Sequence, residues 1–133
     1  MKIYDKIEKN ILEKLMVDIK IQDLIELLPK AFIQENAKNT RANIQIIASG
    51  TGGGEWGIRI NDQNCEIEKG LIEGADFSLT ASAEDIIKVF LGELDPLKAY
   101  MRGKIQFKGK IKQALALTKL FSTDKQIYEG LLK

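Results

Sequence analysis

The sequence predicts an α+β domain: helices toward both ends of the chain, and between them short strands joined by tight turns. Three observations predict it. Apolar residues recur at helical spacing over residues 2–37, the period drops to two between Arg41 and Thr80, and helical spacing returns after Ser82. With 133 residues and 44% hydrophobic side chains, the chain has the length of one domain, taken here as 1–133, and enough apolar material for a core.

The elements follow in order. Over residues 2–19, Ile3, Ile7, Ile11 and Leu15 form one apolar stripe, widened by Leu12 and Ile19, which predicts an amphipathic helix. A second helical pattern, Ile21, Leu24, Ile25, Leu28 and Phe32, covers 21–37; Pro29 within it should either start a new turn or kink the helix. Strand alternation then appears four times: Ile44 and Ile46 against Asn43 and Gln45; Trp56, Ile58 and Ile60 against Gly57 and Arg59; Cys65 and Ile67 against Glu66 and Glu68; Phe77 and Leu79 against Ser78 and Thr80. Turn residues separate them, which predicts an antiparallel meander.

The turn before Trp56, SGTGGGEW, holds four glycines at Gly50, Gly52, Gly53 and Gly54. A phosphate-cradling loop follows a strand and opens a helix. Here the glycines lead into another strand pattern and no Gly-Lys-Ser/Thr follows, so a hairpin turn accounts for the run.

Ser82-Ala-Glu-Asp85 has the form of a helix cap, followed by Ile86, Ile87, Phe90, Leu91 and Leu94. Asp95-Pro96 starts another short helix, cap then first position, ending at Gly103. A fifth alternation, with Ile105 and Phe107 on one side, stops at Gly109. Residues 111–121 form a helical pattern apolar over more than half its circumference. Three readings of it stand: burial on two sides, the wall of a cavity, or contact with a partner subunit. Residues 125–132 suggest a tail helix that either folds over the domain or frays.

Several classes of chemistry are excluded or disfavoured. The chain has no histidine and one cysteine, Cys65, so nucleophile–histidine machinery is impossible and zinc or most transition-metal sites are disfavoured. No catalytic residue, metal ligand or cofactor is assigned. The charged N-terminus lacks a signal-peptide core, and the longest apolar run is four residues, which leads us to expect a soluble, cytoplasmic protein. Charge is uneven. From Pro96 to Thr123 there are seven basic residues, Lys98, Arg102, Lys104, Lys108, Lys110, Lys112 and Lys119, and no acidic one. A solvated face explains such a stretch, as does attraction to an anionic membrane or an acyl-CoA phosphate. Nucleic acid is not expected, because the net charge is only +1 and no aromatic platform is interleaved.

The stretch from Ala75 to Phe121 resembles the signature half of the sterol carrier protein type 2 family. The matching pieces come in order: Asp76-Phe-Ser-Leu-Thr80, Ser82-Ala-Glu-Asp85, Gly92-x-Leu-x-Pro96, Ala99-Tyr-Met-x-Gly103-Lys104 and Ile105-x-Phe-x-Gly109, then a helix with Ala114, Leu115 and Leu117. Upstream, Leu28-Pro29-x-x-Phe32 and Gly50-x-Gly-Gly-Gly54-x-Trp56 resemble the prokaryotic, stand-alone branch. One departure is Lys110, where the family often has Asp or Asn to cap the last helix. The first twenty residues, an N-terminal extension, and the tail of residues 122–133 lie outside the clear match.

The resemblance implies an α/β (α+β) domain: an antiparallel, roughly five-stranded sheet covered on one face by helices, with an apolar tunnel between them. It implies non-catalytic binding and intracellular carriage of a fatty acid, acyl-CoA, sterol-like or other lipid. The apolar walls expected to touch such a ligand are Ile46, Trp56, Ile58, Phe77, Leu79, Phe90, Tyr100, Phe107, Leu115, Leu117 and Phe121, with Arg102, Lys104 and Lys108 for a head group or membrane surface. A carrier requires a cavity of about 300 Å³ or more. The alternatives are a ligand-free interaction or homodimerisation module of the same fold, accessory to a lipid-metabolising enzyme, with a filled core and an apolar outer patch, and an enzyme using lysine and carboxylates, for which no residue stands out.

Overall fold

The computed structural model describes residues 19–117 and 119–131; the side chains of Ile111, Ala114, Leu115, Lys125 and Gly130 are outside that description. The helix expected over residues 2–19 therefore lies almost wholly outside the described residues. Helix α1 is Ile21–Ala31, with Ile21, Leu24, Ile25, Leu28 and Ala31 buried along one face. It runs through Pro29 without breaking. Proline there removes a bond to the Ile25 carbonyl, a cost on the order of 3 kcal/mol. Burying Leu24, Ile25 and Leu28 at about 1.5–3 kcal/mol each outweighs it. The helix ends two residues later, where Phe32 turns extended, and a 3-10 turn covers Gln34–Ala37 rather than the continued helix the spacing predicts.

Five strands follow the alternations: β1 Arg41–Ser49, β2 Gly54–Asn61, β3 Asn64–Lys69, β4 Phe77–Ser82 and β5 Gln106–Lys108. They form one sheet in the order β3-β2-β1-β4-β5. The glycine run is indeed the β1–β2 turn. Gly50 and Gly52 have φ of 84° and 75°, and the Gly53 N–H donates to the Gly50 carbonyl at 3.1 Å.

The sheet is mixed, not wholly antiparallel, because β1 and β4 run parallel. The reason lies in residues 70–76. Lys69 ends β3 level with Trp56 and, through it, Ile46; the chain then passes back over the outer face of the sheet and enters β4 with Phe77 beside Ile44. Gly70 and Gly74, within this crossover, have φ of 98° and 72°.

The crossover is tied down by outward-facing residues of β1 and β2. Gln45, expected on a polar face, is 4% exposed. Its Nε2 donates to the carbonyls of Trp56 (3.0 Å) and Gly70 (3.1 Å), and its Oε1 accepts from the Ile72 N–H at 2.7 Å. Ile72 lies over Gly57 so closely that a Cβ there would sit 2.2 Å from its Cγ2. Asp76 accepts from the Asn43 N–H at 2.6 Å, and Arg59 pairs with Glu68 and reaches the Glu73 carbonyl.

Helices cover the other face. Helix α2, Ala83–Phe90, begins at Ser82, whose Oγ accepts from the Asp85 N–H at 3.1 Å. Helix α3, Pro96–Met101, begins at Asp95, which accepts from the N–H groups of Leu97 and Lys98. Helix α4 is Ile111–Leu117, shorter than the pattern that runs to Phe121. Leu120 and Phe121 instead join the end of α1: Ile33 donates to the Leu120 carbonyl (2.8 Å), Ser122 donates to the Ala31 carbonyl (2.8 Å), and Phe121 bridges Phe32. Helix α5, Lys125–Tyr128, continues as a 3-10 turn over Glu129–Leu131 and packs against α1. Tyr128 is 1% exposed and donates its hydroxyl to the Ser122 carbonyl at 3.0 Å, so this tail is part of the core.

Candidate functional site

The apolar faces of β1, β2 and β4 and the inward sides of α1 and α2 meet in one core. Within it, Leu79 of β4, Val89 and Phe90 of α2, Pro96, Ile105, Phe107 of β5 and Leu117 of α4 enclose a space of about 30 Å³. Every side chain of that lining is apolar, so the space can hold hydrocarbon and presents no proton donor or acceptor of its own. It is much smaller than the ~300 Å³ expected of a ligand cavity.

Val89, Phe90 and Pro96 also line an open cleft of about 370 Å³, whose other walls include Leu94, Asp95, Phe121 and Thr123. The Phe90–Phe121 pair stands at this junction, ring centroids 5.9 Å apart and nearly perpendicular, with Phe32 5.7 Å from Phe121 on its other side. A second groove, about 610 Å³, lies where the start of α1, the glycine turn and the start of α2 meet, with Trp56 and Ile87 at its base.

The expected ligand-contacting residues divide accordingly. Leu79, Phe90, Phe107 and Leu117 come together around the enclosed space, and Phe121 forms a wall of the adjoining cleft. Ile46, Ile58 and Phe77 lie in the close-packed core, and Trp56 faces the other groove. Tyr100 is 40% exposed, with its ring 5.5 Å from Phe107. The side chain of Leu115 lies outside the described residues. Arg102, Lys104 and Lys108 are exposed, near β5 and α3 and not inside the space. Sequence reasoning missed Val89, Pro96 and Ile105 as lining residues. Ile105 was legible as a strand residue and Pro96 as a helix start, but neither pattern says which side chains meet across elements.

Titratable groups near the core are held neutral. Burial, with the Glu66 carboxylate beside it, pushes the Cys65 thiol up to about 11, and burial pushes the Tyr128 hydroxyl up to about 12. Among the described residues there is no metal-holding cluster of three His, Cys, Asp or Glu, and no helix is long and apolar enough to cross a membrane.

Comparison with known proteins places this geometry. The family model for the SCP-2 sterol transfer family matches residues 21–122. Hydroxysteroid dehydrogenase-like protein 2 of Rattus norvegicus is 29% identical over 103 residues, 77% of this chain but 20% of that protein. This chain thus spans about a fifth of the length of that curated relative. Among solved structures, sterol carrier protein domain 2 of Helicoverpa armigera has a TM-score of 0.57 at 25% identity, covering 77% of this chain and 85% of that one. The sec-alkylsulfatase Pisa1 from Pseudomonas sp. shares the fold, with a TM-score of 0.68 at 13% identity over 74% of this chain and 16% of its own.

Proposed function

The chain belongs to the SCP-2 sterol transfer family, and from that premise we propose that it binds a lipid chain non-covalently between its sheet and helices and carries it inside the cell. The observation that carries this reading is the wholly apolar space bounded by Leu79, Phe90, Phe107 and Leu117, which shares its Val89, Phe90 and Pro96 walls with an open cleft. At about 30 Å³ the space has room for about one methylene, so a ligand enters by parting Phe90 from Phe121 and merging space and cleft. Burial of each methylene contributes about 0.8 kcal/mol toward that opening. A fatty acid or acyl-CoA fits best, because Arg102, Lys104 and Lys108 lie near the Phe107 end and can meet a carboxylate or phosphate.

Native mass spectrometry of freshly purified protein, with solvent extraction of any adduct, tests the reading. A stoichiometric adduct recovered as a defined lipid supports it. A clean mass, together with no uptake of fluorescent fatty acid at micromolar concentration, overturns it. A second reading has its own support. The nearly filled interior, with Leu97, Tyr100 and Met101 exposed outside, also suits a ligand-free interaction or dimerisation module. Light scattering that reports a monomer across concentration counts against the dimer.

A further inference from the structure

The groove of about 610 Å³ beside the glycine turn shares no lining residue with the apolar space or its cleft. Its apolar walls come from three places in the fold: Ile19 and Ile21 at the start of α1, Trp56 of β2, and Ala83 and Ile87 at the start of α2. Lys20, Gln22, Thr51 and Glu84, all exposed, form a polar rim. An apolar floor inside a polar rim is the form of a site that takes one amphipathic helix, anchored by apolar residues three and four apart.

The chain carries such a pattern directly beside the groove. Ile3, Ile7, Ile11 and Leu15 recur every four residues, and the same stripe ends on Ile19. Ile19 is 6% exposed and belongs to the hydrophobic core, so one end of the stripe is held at the groove wall. Lys20, the next residue, is extended, with φ −81° and ψ 133°, and α1 starts only at Ile21. The stripe and α1 are therefore not one continuous helix. The backbone changes course at Lys20, which frees the residues before Ile19 from the line of the α1 axis.

We propose that residues 3–18 are the occupant of this groove, lying in it as a helix with Ile7, Ile11 and Leu15 turned toward Trp56 and Ile87. Two observations choose this occupant. Joined to the groove wall without a linker, the segment meets its site at an effective concentration that a separate molecule does not reach. Residues 1–18 also hold four lysines and four acidic side chains, so their charges cancel and no net charge draws the segment to a charged surface instead. The inference concerns a different space from the lipid reading, and each can fail without the other.

Trp56 is the one tryptophan of the chain, so its fluorescence reports on the groove. In the full chain, Ile11→Asp with Leu15→Asp should shift Trp56 emission to the red and raise its quenching by acrylamide. Lys6→Asp with Lys9→Asp, which sets two aspartates on the side opposite the stripe, should change neither. A spin label on Lys14→Cys, in a Cys65→Ser background, gives a reading that does not depend on disrupting the segment. The indole N–H of Trp56 and the amides of Gly52 and Gly53 should broaden in the NMR spectrum. The amide of Lys108, on the edge strand β5 three strands from β2, should stay sharp. No broadening at Trp56, Gly52 and Gly53 overturns the proposal, as does quenching that rises equally in both double variants. Isotope-labelled chain mixed with unlabelled, spin-labelled chain tests for a second copy. Broadening in that mixture as strong as within one chain overturns the proposal, because the segment then fills the groove of another molecule. Broadening confined to the singly labelled chain supports it.

Discussion

Gln45 shows how one polar side chain decides the path of a backbone. Its amide satisfies the carbonyls of Trp56 and Gly70 and the N–H of Ile72, groups that the crossover would otherwise bury without partners. Gln45→Ala should therefore destabilise the protein by about 2–3 kcal/mol, since two acceptors and a donor lose their partner; urea unfolding measures this. Gly57→Ala sets a methyl against Ile72 and should cost about 1–3 kcal/mol. Adding Ile72→Ala should recover part of that loss, and failure of the double variant to do so would place the strain elsewhere. Two protons held more tightly by burial contribute to the alkaline fall in stability. The Cys65 thiol rises from its ordinary 9.0 to about 11 and the Tyr128 hydroxyl from 10.0 to about 12. A raised value in the folded state means the fold holds the proton more tightly than the unfolded chain. The contribution is complete below pH 9 for Cys65 and below pH 10 for Tyr128, and is lost as pH rises through 11 and 12. Urea midpoints should fall across that window, and Tyr128→Phe should flatten the upper part of the fall.

At the scale of elements, the caps do what their sequence pattern implies. Asp95 accepts from two N–H groups at the start of a six-residue helix that has little else to nucleate it. Asp95→Ala should cost about 1 kcal/mol in thermal or urea unfolding. A near-zero effect would mean that the packing of Ala99, rather than the cap, holds α3 in place. Helix α4 shows the limit of periodicity. The apolar spacing continues to Phe121, yet the regular helix ends at Leu117 because Leu120, Phe121 and Ser122 are claimed by backbone bonds to Ile33 and Ala31. A residue that reads as helical by spacing becomes, through Phe32 far back in the chain, part of a small bridge.

Across the whole molecule, lipid binding depends on whether the enclosed space and its cleft can merge. Val89 lines both, so Val89→Trp should block the junction and lower fatty-acid uptake at least about ten-fold, with a modest stability change because Val89 is only half-buried. Unchanged uptake would move the ligand to the groove by Trp56 and Ile87. The two faces of the sheet have separate duties. The crossover covers the outer face over Gln45 and Gly57, and the groove of about 340 Å³ left open there is lined by polar residues such as Arg41, Asn43, Arg59 and Glu66, which leaves the helical face, the C-terminal segment and α3 to form any apolar opening.

The sequence by itself determined the elements: five alternating segments, the glycine turn, the Ser82 and Asp95 caps and the family pattern of Ala75–Phe121. These are local properties, set by residue spacing and by side chains that reach their own backbone. Only the tertiary structure decided that β4 lies parallel to β1, that Gln45 is buried, that Phe121 leaves its helix, and that Leu79, Phe90, Phe107 and Leu117 meet while Ile46 and Ile58 are packed away. Those outcomes depend on which elements pair across the chain. Two alternations with the same period carry no record of their neighbour, and the volume left between a sheet and its helices is a small difference between large packed volumes.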